Sequence, residues 1–254
     1  MSSTFRQRVV GRRGAAALAP ENTLAAFEAG YRAGADVLHV DLRLTADWHV
    51  VAMHDETVDA TTDGDGRVGD LDLASLRGLD AGSWFDPRFA GERVPTWDEV
   101  LELAVVRDVD VLAHLHGSWS GLEAALVTDA VLDAGFGART TAASSDPGTL
   151  EAVAAAEPGV RRSLVLHRSD PDLVARCVDL ALDTCSPHGR LLIQQPGLVA
   201  RLHDAGVGVL GWALDDPALW RRAVDLDVDA IVTDDPERLR AWLRPEVPAQ
   251  RRAA

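Results

Sequence analysis

Residues 9–42 read VVGRRGAAALAPENTLAAFEAGYRAGADVLHVDL and contain one full turn of the pattern that governs the chain. The apolar pair Val9 and Val10 reads as a short strand over 8–10. An Arg12-Arg13-Gly14 turn follows. Pro20-Glu21-Asn22-Thr23 then opens a helix over 22–33, in which Leu24, Phe27, Ala29 and Tyr31 are spaced for one or two apolar faces. ADVLHVDL closes the unit as a strand over 36–41. Strand, helix and strand in about thirty residues make a β–α–β unit, which implies parallel sheet.

The same alternation continues downstream. Further strands are predicted at 49–53, 109–115, 139–143, 161–166, 179–185, 207–213 and 230–233. Helical patterns fall between most of them. One spans 96–106, where Thr96 and Glu99 form a capping box. Others span 147–155, 171–178, 196–205, 217–226 and 236–242, each with proline at or near its first turn. About eight such units predict an α/β fold of the (β/α)8 TIM-barrel type. The runner-up is an open doubly wound sheet, disfavoured because the chain has no glycine-rich dinucleotide turn and no second sheet half. Residues 55–95 break the rhythm with a polar, Gly- and Asp-rich segment that includes LDLASLRGLDAGSWFDPRFAGERVP. This segment is expected to be a small insertion after an early strand, on the rim, where such insertions shape pockets. There is no internal repeat and no linker, so 1–254 is expected to form a single domain, with the tail RPEVPAQRRAA frayed.

Composition narrows the function. At 254 residues with 47% hydrophobic content, the chain can bury a sizeable core. A net charge of −15 argues against a nucleic-acid partner, which needs a basic face. All 25 basic residues are arginine, so lysine nucleophiles and Schiff bases are excluded. Cys177 and Cys185 fit neither a zinc ribbon nor a disulfide scaffold and read as buried thiols of a reducing compartment. MSSTFRQRVVGRR has no apolar signal region, and no run reaches the ~18 apolar residues of a membrane span. A cytoplasmic protein without integral membrane association is expected.

In a barrel, function sits at the C-terminal ends of the strands. Arg12 and Arg13 end the first strand. His39 and Asp41 share one side of the second, because strand side chains alternate. His54 and Asp55 end the third, His114 and His116 share a face of the fourth, Trp212 ends a late strand, and Asp234 ends the last. Each could be a core imidazole, a cap or a packing residue. Together, several imidazoles, a carboxylate and two arginines on one rim are costly to desolvate unless they bind something.

These motifs carry a resemblance. PENTLAAFEAGYRAGADVLHVDLRLTADWHVVAMHDETV, TTDGDGRVGDLDLASLRGLDAGSWF and GERVPTWDEVLEL, followed by VGVLGWALDDP and VDAIVTDDPERL, closely resemble the glycerophosphodiester phosphodiesterase family almost end to end. The resemblance implies a (β/α)8 barrel with a small insertion. It also implies hydrolysis of a glycerophosphodiester to glycerol 3-phosphate and an alcohol, with two proton-transfer histidines and a divalent cation, usually Mg²⁺ or Ca²⁺.

Carried over position by position, the first shell departs from the family. The His-Arg-Gly turn is Arg12-Arg13-Gly14. The metal-binding Glu-x-Asp is His39-Val40-Asp41, and Glu-x-Lys is His114-Leu115-His116. His-Asp survives as His54-Asp55, an arginine often found after it is Ala60, and Trp212 remains. Arg12 cannot accept a proton near neutral pH, so loss of a base there should cost on the order of 10²–10⁴ in rate; it can instead grip phosphate beside Arg13. A formally trianionic ligand set becomes monoanionic. Hard Mg²⁺ and Ca²⁺ want carboxylates, whereas His39, Asp41 and His114 suit Zn²⁺, Mn²⁺ or Fe²⁺. His116 is a fourth ligand or a phosphate contact, and Trp212 a substrate contact.

The expected function is therefore hydrolysis of a small anionic phosphodiester with an altered metal site. His54 is the expected general acid, and a water activated by the metal or the substrate's own hydroxyl is the nucleophile. The alternatives are a catalytically inactive, metal-free phosphodiester-binding relative and a repurposed transition-metal enzyme.

Overall fold

A computed structural model describes residues 7–244; the expected frayed tail lies almost wholly outside them. Eight parallel strands close into a barrel: β1 (Arg8–Gly11), β2 (Val37–Leu44), β4 (Asp110–Leu115), β5 (Thr140–Ser144), β6 (Arg161–Leu166), β7 (Thr184–Pro187), β8 (Gly208–Gly211) and β9 (Ala230–Thr233). Each pairs with the next, and β1 closes the ring by pairing with both β2 and β9. The (β/α)8 expectation holds.

The expected strand at 49–53 is β3 (Val50–Ala52), and it is not a barrel stave. It runs antiparallel to β2, with Leu42 opposite Ala52 and Leu44 opposite Val50. β2 is long enough to bond β1 at one end and β3 at the other. The strand expected at 179–185 runs later, over Thr184–Pro187, because Asp179 ends a helix and Ala181 takes a left-handed turn with φ 47°.

Apart from α2 (Leu73–Gly78), which belongs to the insertion, the helices wrap the barrel outside: α1 (Leu24–Arg32), α3 (Trp97–Arg107), α4 (Gly121–Asp133), α5 (Pro147–Ala156), α6 (Leu173–Asp179), α7 (Gly189–Gln194), α8 (Leu198–Asp204), α9 (Pro217–Asp225) and α10 (Pro236–Leu243). Proline stands at the first position of α5, α9 and α10, behind the capping aspartates Asp146, Asp216 and Asp235, where its missing N–H costs nothing. Pro171 and Pro196 fall short of their helices, which start at Leu173 and Leu198. Helix α4 had no explicit expectation, although its Ser120–Glu123 capping box is of the same kind as the Thr96–Glu99 box of α3.

The barrel interior is filled by Val10, Val37, Leu112, Ala143, Val165, Leu210, Ala230 and Val232. Two larger apolar clusters, around Phe27 and Trp97 and around Leu202 and Trp220, seal the helices onto the sheet. Between β3 and α3, residues 53–96 carry α2 and pack a cluster of their own that includes Met53, Val58, Val68 and Leu76. No helix among the described residues is long and apolar enough to cross a membrane.

Gly14 fixes how the first turn meets α1. Its φ is 87°, and an added Cβ would lie 2.4 Å from the Ala26 carbonyl carbon. Only glycine permits both that backbone and that approach. The turn is therefore pressed against the helix, and Arg12 and Arg13 are held at the rim.

Candidate active site

The eight residues singled out as candidates (Arg12, Arg13, His39, Asp41, His54, His114, His116 and Trp212) all line one open-mouthed pocket of about 530 Å³. Its floor is apolar, made by Leu112, Ala143, Val165 and Val232 from the top of the barrel core. A polar rim over an apolar floor suits a small ligand held by a few directed groups.

Asp41 is the hub, with 1% of its surface exposed. Register sets its company: Asp41 lies opposite His114 across the β2–β4 pair. Oδ1 accepts from His116 Nε2 at 2.7 Å, with His114 Nδ1 at 3.5 Å and His39 Nε2 at 3.7 Å. Oδ2 accepts from Asn22 Nδ2 at 3.0 Å and meets Arg13 Nε at 3.1 Å. The Asn22 amide oxygen also accepts from the Asp41 backbone N–H at 3.1 Å, which brackets the residue from both sides. Asn22 reaches it by taking φ 57°, so Thr23, not Asn22, caps α1.

Burial raises the Asp41 carboxyl, but His39, His114 and His116 outweigh it and hold the pKa well below the usual carboxylate range. Burial pushes His39 down to about 3 and His116 down to about 4, against the pull of Asp41. Both imidazoles are neutral at neutral pH. His39 Nδ1 accepts from the Arg13 backbone N–H at 3.3 Å, so neutral His39 carries its proton on Nε2, the nitrogen facing Asp41.

The two arginines are not free. Arg12 Nη1 donates to both oxygens of Asp234, at 3.0 and 3.1 Å. Arg13 Nη1 donates to both oxygens of Glu21, at 2.7 Å each. Asp234 is raised by burial despite Arg12. Arg13 is therefore a wall of the Asp41 cluster, while the Nε and Nη2 protons of Arg12 have no hydrogen-bond partner among the described residues.

His54 Nδ1 lies 2.6 Å from Asp55 Oδ1. That pairing leaves Nε2 for the pocket. The ring stands edge-on to His116, centroid to centroid 4.8 Å. Across the mouth, Trp212 Nε1 donates to the Ser186 carbonyl at 2.7 Å. The indole meets His167 and His188 edge-on, at 4.9 and 5.2 Å. His167 also lines the pocket and was absent from the sequence-based candidates. The signal was available, since it directly follows the strand expected at 161–166.

His39, Asp41 and His114 each offer a ligand atom within 4.8 Å of the others, and so do Asp41, His54 and His116. Two overlapping triads thus share Asp41. Their imidazole and carboxylate donors fit a divalent cation of borderline softness better than a hard one. Ligation through His39 Nε2 requires that ring to move its proton to Nδ1 and to release the Arg13 N–H.

The sequence signature of the "Glycerophosphoryl diester phosphodiesterase family" matches residues 13–238. The chain belongs to this family. A glycerophosphodiester phosphodiesterase of Caldanaerobacter subterraneus subsp. tengcongensis is 35% identical over 238 residues, covering 91% of this chain and 95% of that one. The crystal structure of a glycerophosphodiester phosphodiesterase from Agrobacterium tumefaciens superposes with a TM-score of 0.81 at 31% identity, covering 92% of this chain and 99% of that one. An Oleispira antarctica phosphodiesterase, solved in complex with the product sn-glycerol-3-phosphate, shares the fold with a TM-score of 0.86 at 24% identity, covering 94% and 97%. The family is one of phosphoric diester hydrolases acting on glycerophosphodiesters, and it uses a divalent metal. The matched span opens one residue after Arg12, the position at which the resemblance puts the family's first histidine.

Proposed function

We propose that the protein hydrolyses a small glycerophosphodiester to glycerol 3-phosphate and an alcohol, with a site rebuilt for Zn²⁺, Mn²⁺ or Fe²⁺. One observation carries this reading: the two family carboxylates replaced by His39 and His114 leave donors that still converge on Asp41. Decay of an unused site would not favour two imidazoles at that spacing. His39, Asp41 and His114 would hold the cation, which when bound supplies Lewis-acid polarisation of a phosphoryl oxygen.

The chain's own residues do the rest. Arg12, with free guanidinium protons, grips a non-bridging phosphate oxygen. His116 stands beside the phosphate, and Arg13 holds Asp41 in place while closing the pocket wall. Trp212 provides an apolar wall for the substrate's carbon chain. His54, oriented by Asp55 through Nδ1, gives the Nε2 proton to the departing alkoxide. The chain works as one unit, with 55–95 as a rim insertion. The unbridged buried thiols Cys177 and Cys185 suit the reducing cytoplasm.

Elemental analysis of the purified protein and of His114→Ala tests the reading, together with a phosphodiester assay in each metal. Stoichiometric Zn, Mn or Fe, lost in the variant and needed for turnover, is the expected result. Absence of bound metal, with no activity on reconstitution, sinks it and leaves a metal-free phosphate-binding relative.

A further inference from the structure

Hydrolysis of a phosphodiester requires two proton transfers. The nucleophile must lose a proton, and the departing alkoxide must gain one. His54 with Asp55 suits the second. The residue that resemblance assigns to the first is Arg12, and a guanidinium does not take a proton near neutral pH. The pocket supplies another imidazole.

His167 follows Leu166 at the C-terminal end of β6 and faces the same pocket as Arg12 and His54. Neither of its ring nitrogens has a hydrogen-bond partner among the described residues. Its ring is steadied by edge-on contact with Trp212 at 4.9 Å. Around the barrel, β6 is four strands from β1 in either direction, so His167 stands across the mouth from Arg12. His54 lies on the β2–β4 side, packed against His116. In-line displacement at phosphorus puts nucleophile and leaving group on opposite faces, which calls for a base and an acid on different walls of the pocket. The two imidazoles also differ as the roles demand. His54 has a carboxylate on its Nδ1, whereas His167 has none among the described residues. Partial burial, with His114, His188 and Arg168 nearby, lowers His167 from the ordinary histidine value, which keeps its lone pair available.

We propose that His167 is the general base of this site and takes over the proton transfer that Arg12 cannot perform. A ring nitrogen of His167 accepts the proton of the attacking water as that oxygen bonds to phosphorus. The P–O bond to the alcohol breaks, and its electron pair receives the proton from His54 Nε2. The His167 imidazolium then returns its proton to His54 through solvent, and the cycle closes without any net change in the protein.

This rests on the proposed hydrolysis, and the experiment separates the two. Wild type, His167→Gln, His167→Asn and His54→Gln, each reconstituted with metal, are compared on two glycerophosphodiesters. One ester has an alkyl alcohol as leaving group and the other p-nitrophenol, which leaves without help from an acid. Loss of the base should lower kcat on the order of 10²–10⁴-fold on both esters. His54→Gln should be impaired on the alkyl ester and largely rescued on the p-nitrophenyl ester. His167 is exposed at the mouth, so its variants should melt with the wild type. Activity of both His167 variants within about threefold of wild type overturns the proposal. A His167 defect confined to the alkyl ester also overturns it, by making His167 the acid. A wild type inert toward both esters in every metal refutes the hydrolytic reading itself, and the base with it.

Discussion

Replacing Asp41 by asparagine should separate what this carboxylate does for the fold from what it does for a cation. The substitution keeps the shape and removes the charge. The carboxylate now accepts from His116 Nε2 at 2.7 Å and Asn22 Nδ2 at 3.0 Å, and lies 3.1 Å from Arg13 Nε. An amide has one acceptor oxygen. Whichever side that oxygen serves, the NH₂ group faces a donor on the other. Removing one partner of a buried ion pair costs about 3–5 kcal/mol. Arg13 keeps Glu21, with two contacts at 2.7 Å, which puts the loss near the lower bound, about 3 kcal/mol. At about 2–4 °C per kcal/mol for a chain of this size, the melting temperature should fall by roughly 6–12 °C. Circular dichroism melts at pH 7 in excess chelator measure this term alone. Zinc or manganese at about 100 times its dissociation constant should then stabilise the wild type by about 2.7 kcal/mol and leave Asp41→Asn unmoved. A variant melting within about 2 °C of wild type in chelator would refute the idea that Asp41 organises the pocket. A variant that still gains stability from the metal would refute its role as shared ligand.

Other perturbations probe separate parts of the argument. His54→Gln should lower kcat by about 10²–10⁴-fold with little change in KM, in steady-state assays on an alkyl ester, because the proton is given in the transition state. Asp110 ties β4 to Arg8 at 2.6 Å and to Arg139 at 2.7 Å; burial raises its carboxyl, but bonds from Arg139 and Arg8 more than offset this and lower the pKa. A depressed carboxyl stabilises the fold above the unfolded pKa of about 4 and stops doing so as pH falls through the lower folded value. The gap in melting temperature between wild type and Asp110→Asn should therefore be open at pH 7 and closing below pH about 4; a gap that is constant with pH would count against it. Gly14→Ala needs a left-handed alanine and a Cβ 2.4 Å from backbone, so it should cost at least about 2 kcal/mol, read as a melting temperature about 4–8 °C lower.

The barrel was legible because its signals are local and repeat. Alternating apolar runs, capping boxes and prolines at helix starts each act within a few residues. The same locality explains the misplacements. The apolar run after Val178 carries strand-like residues through a helix end, and only the left-handed turn at Ala181 decides where β7 begins. The run at 49–53 is strand-forming, but whether it becomes a stave or an antiparallel appendage depends on a partner, β2, that already has neighbours on both sides. At the site, strand ends named the residues that share the pocket, and period two put His39 with Asp41. What the arginines do was not legible. Arg12 meets Asp234 across 222 residues of chain, and Asn22 finds Asp41 only because its backbone takes a left-handed turn. His167 was legible in principle, since it directly follows a predicted strand, but it stands alone there, without the second imidazole or carboxylate two residues away that marks β2 and β4.

The substitutions make physical sense as a set rather than singly. Relative to the pattern that the resemblance implies, two carboxylates give way to the imidazoles of His39 and His114, a histidine becomes Arg12, and a lysine becomes His116. The site has become less negative, which weakens its purely electrostatic hold on a hard cation. Imidazoles compensate for a borderline cation through their nitrogen lone pairs, not through charge. A less negative rim also repels a phosphodiester less. Arg12 would add attraction, but Asp234 holds it in a pair from which only part of its fork is free. Arg13 is more fully engaged by Glu21 and Asp41. The arginines therefore do not form an open anion trap that would bind substrate and product equally tightly and slow release. Under the proposed function, phosphate is recognised by the remaining guanidinium protons and by whatever Asp41 and its imidazoles hold. Such a division would tie tight binding to the assembled cluster, where the proposed hydrolysis takes place, and this is where binding energy raises a rate.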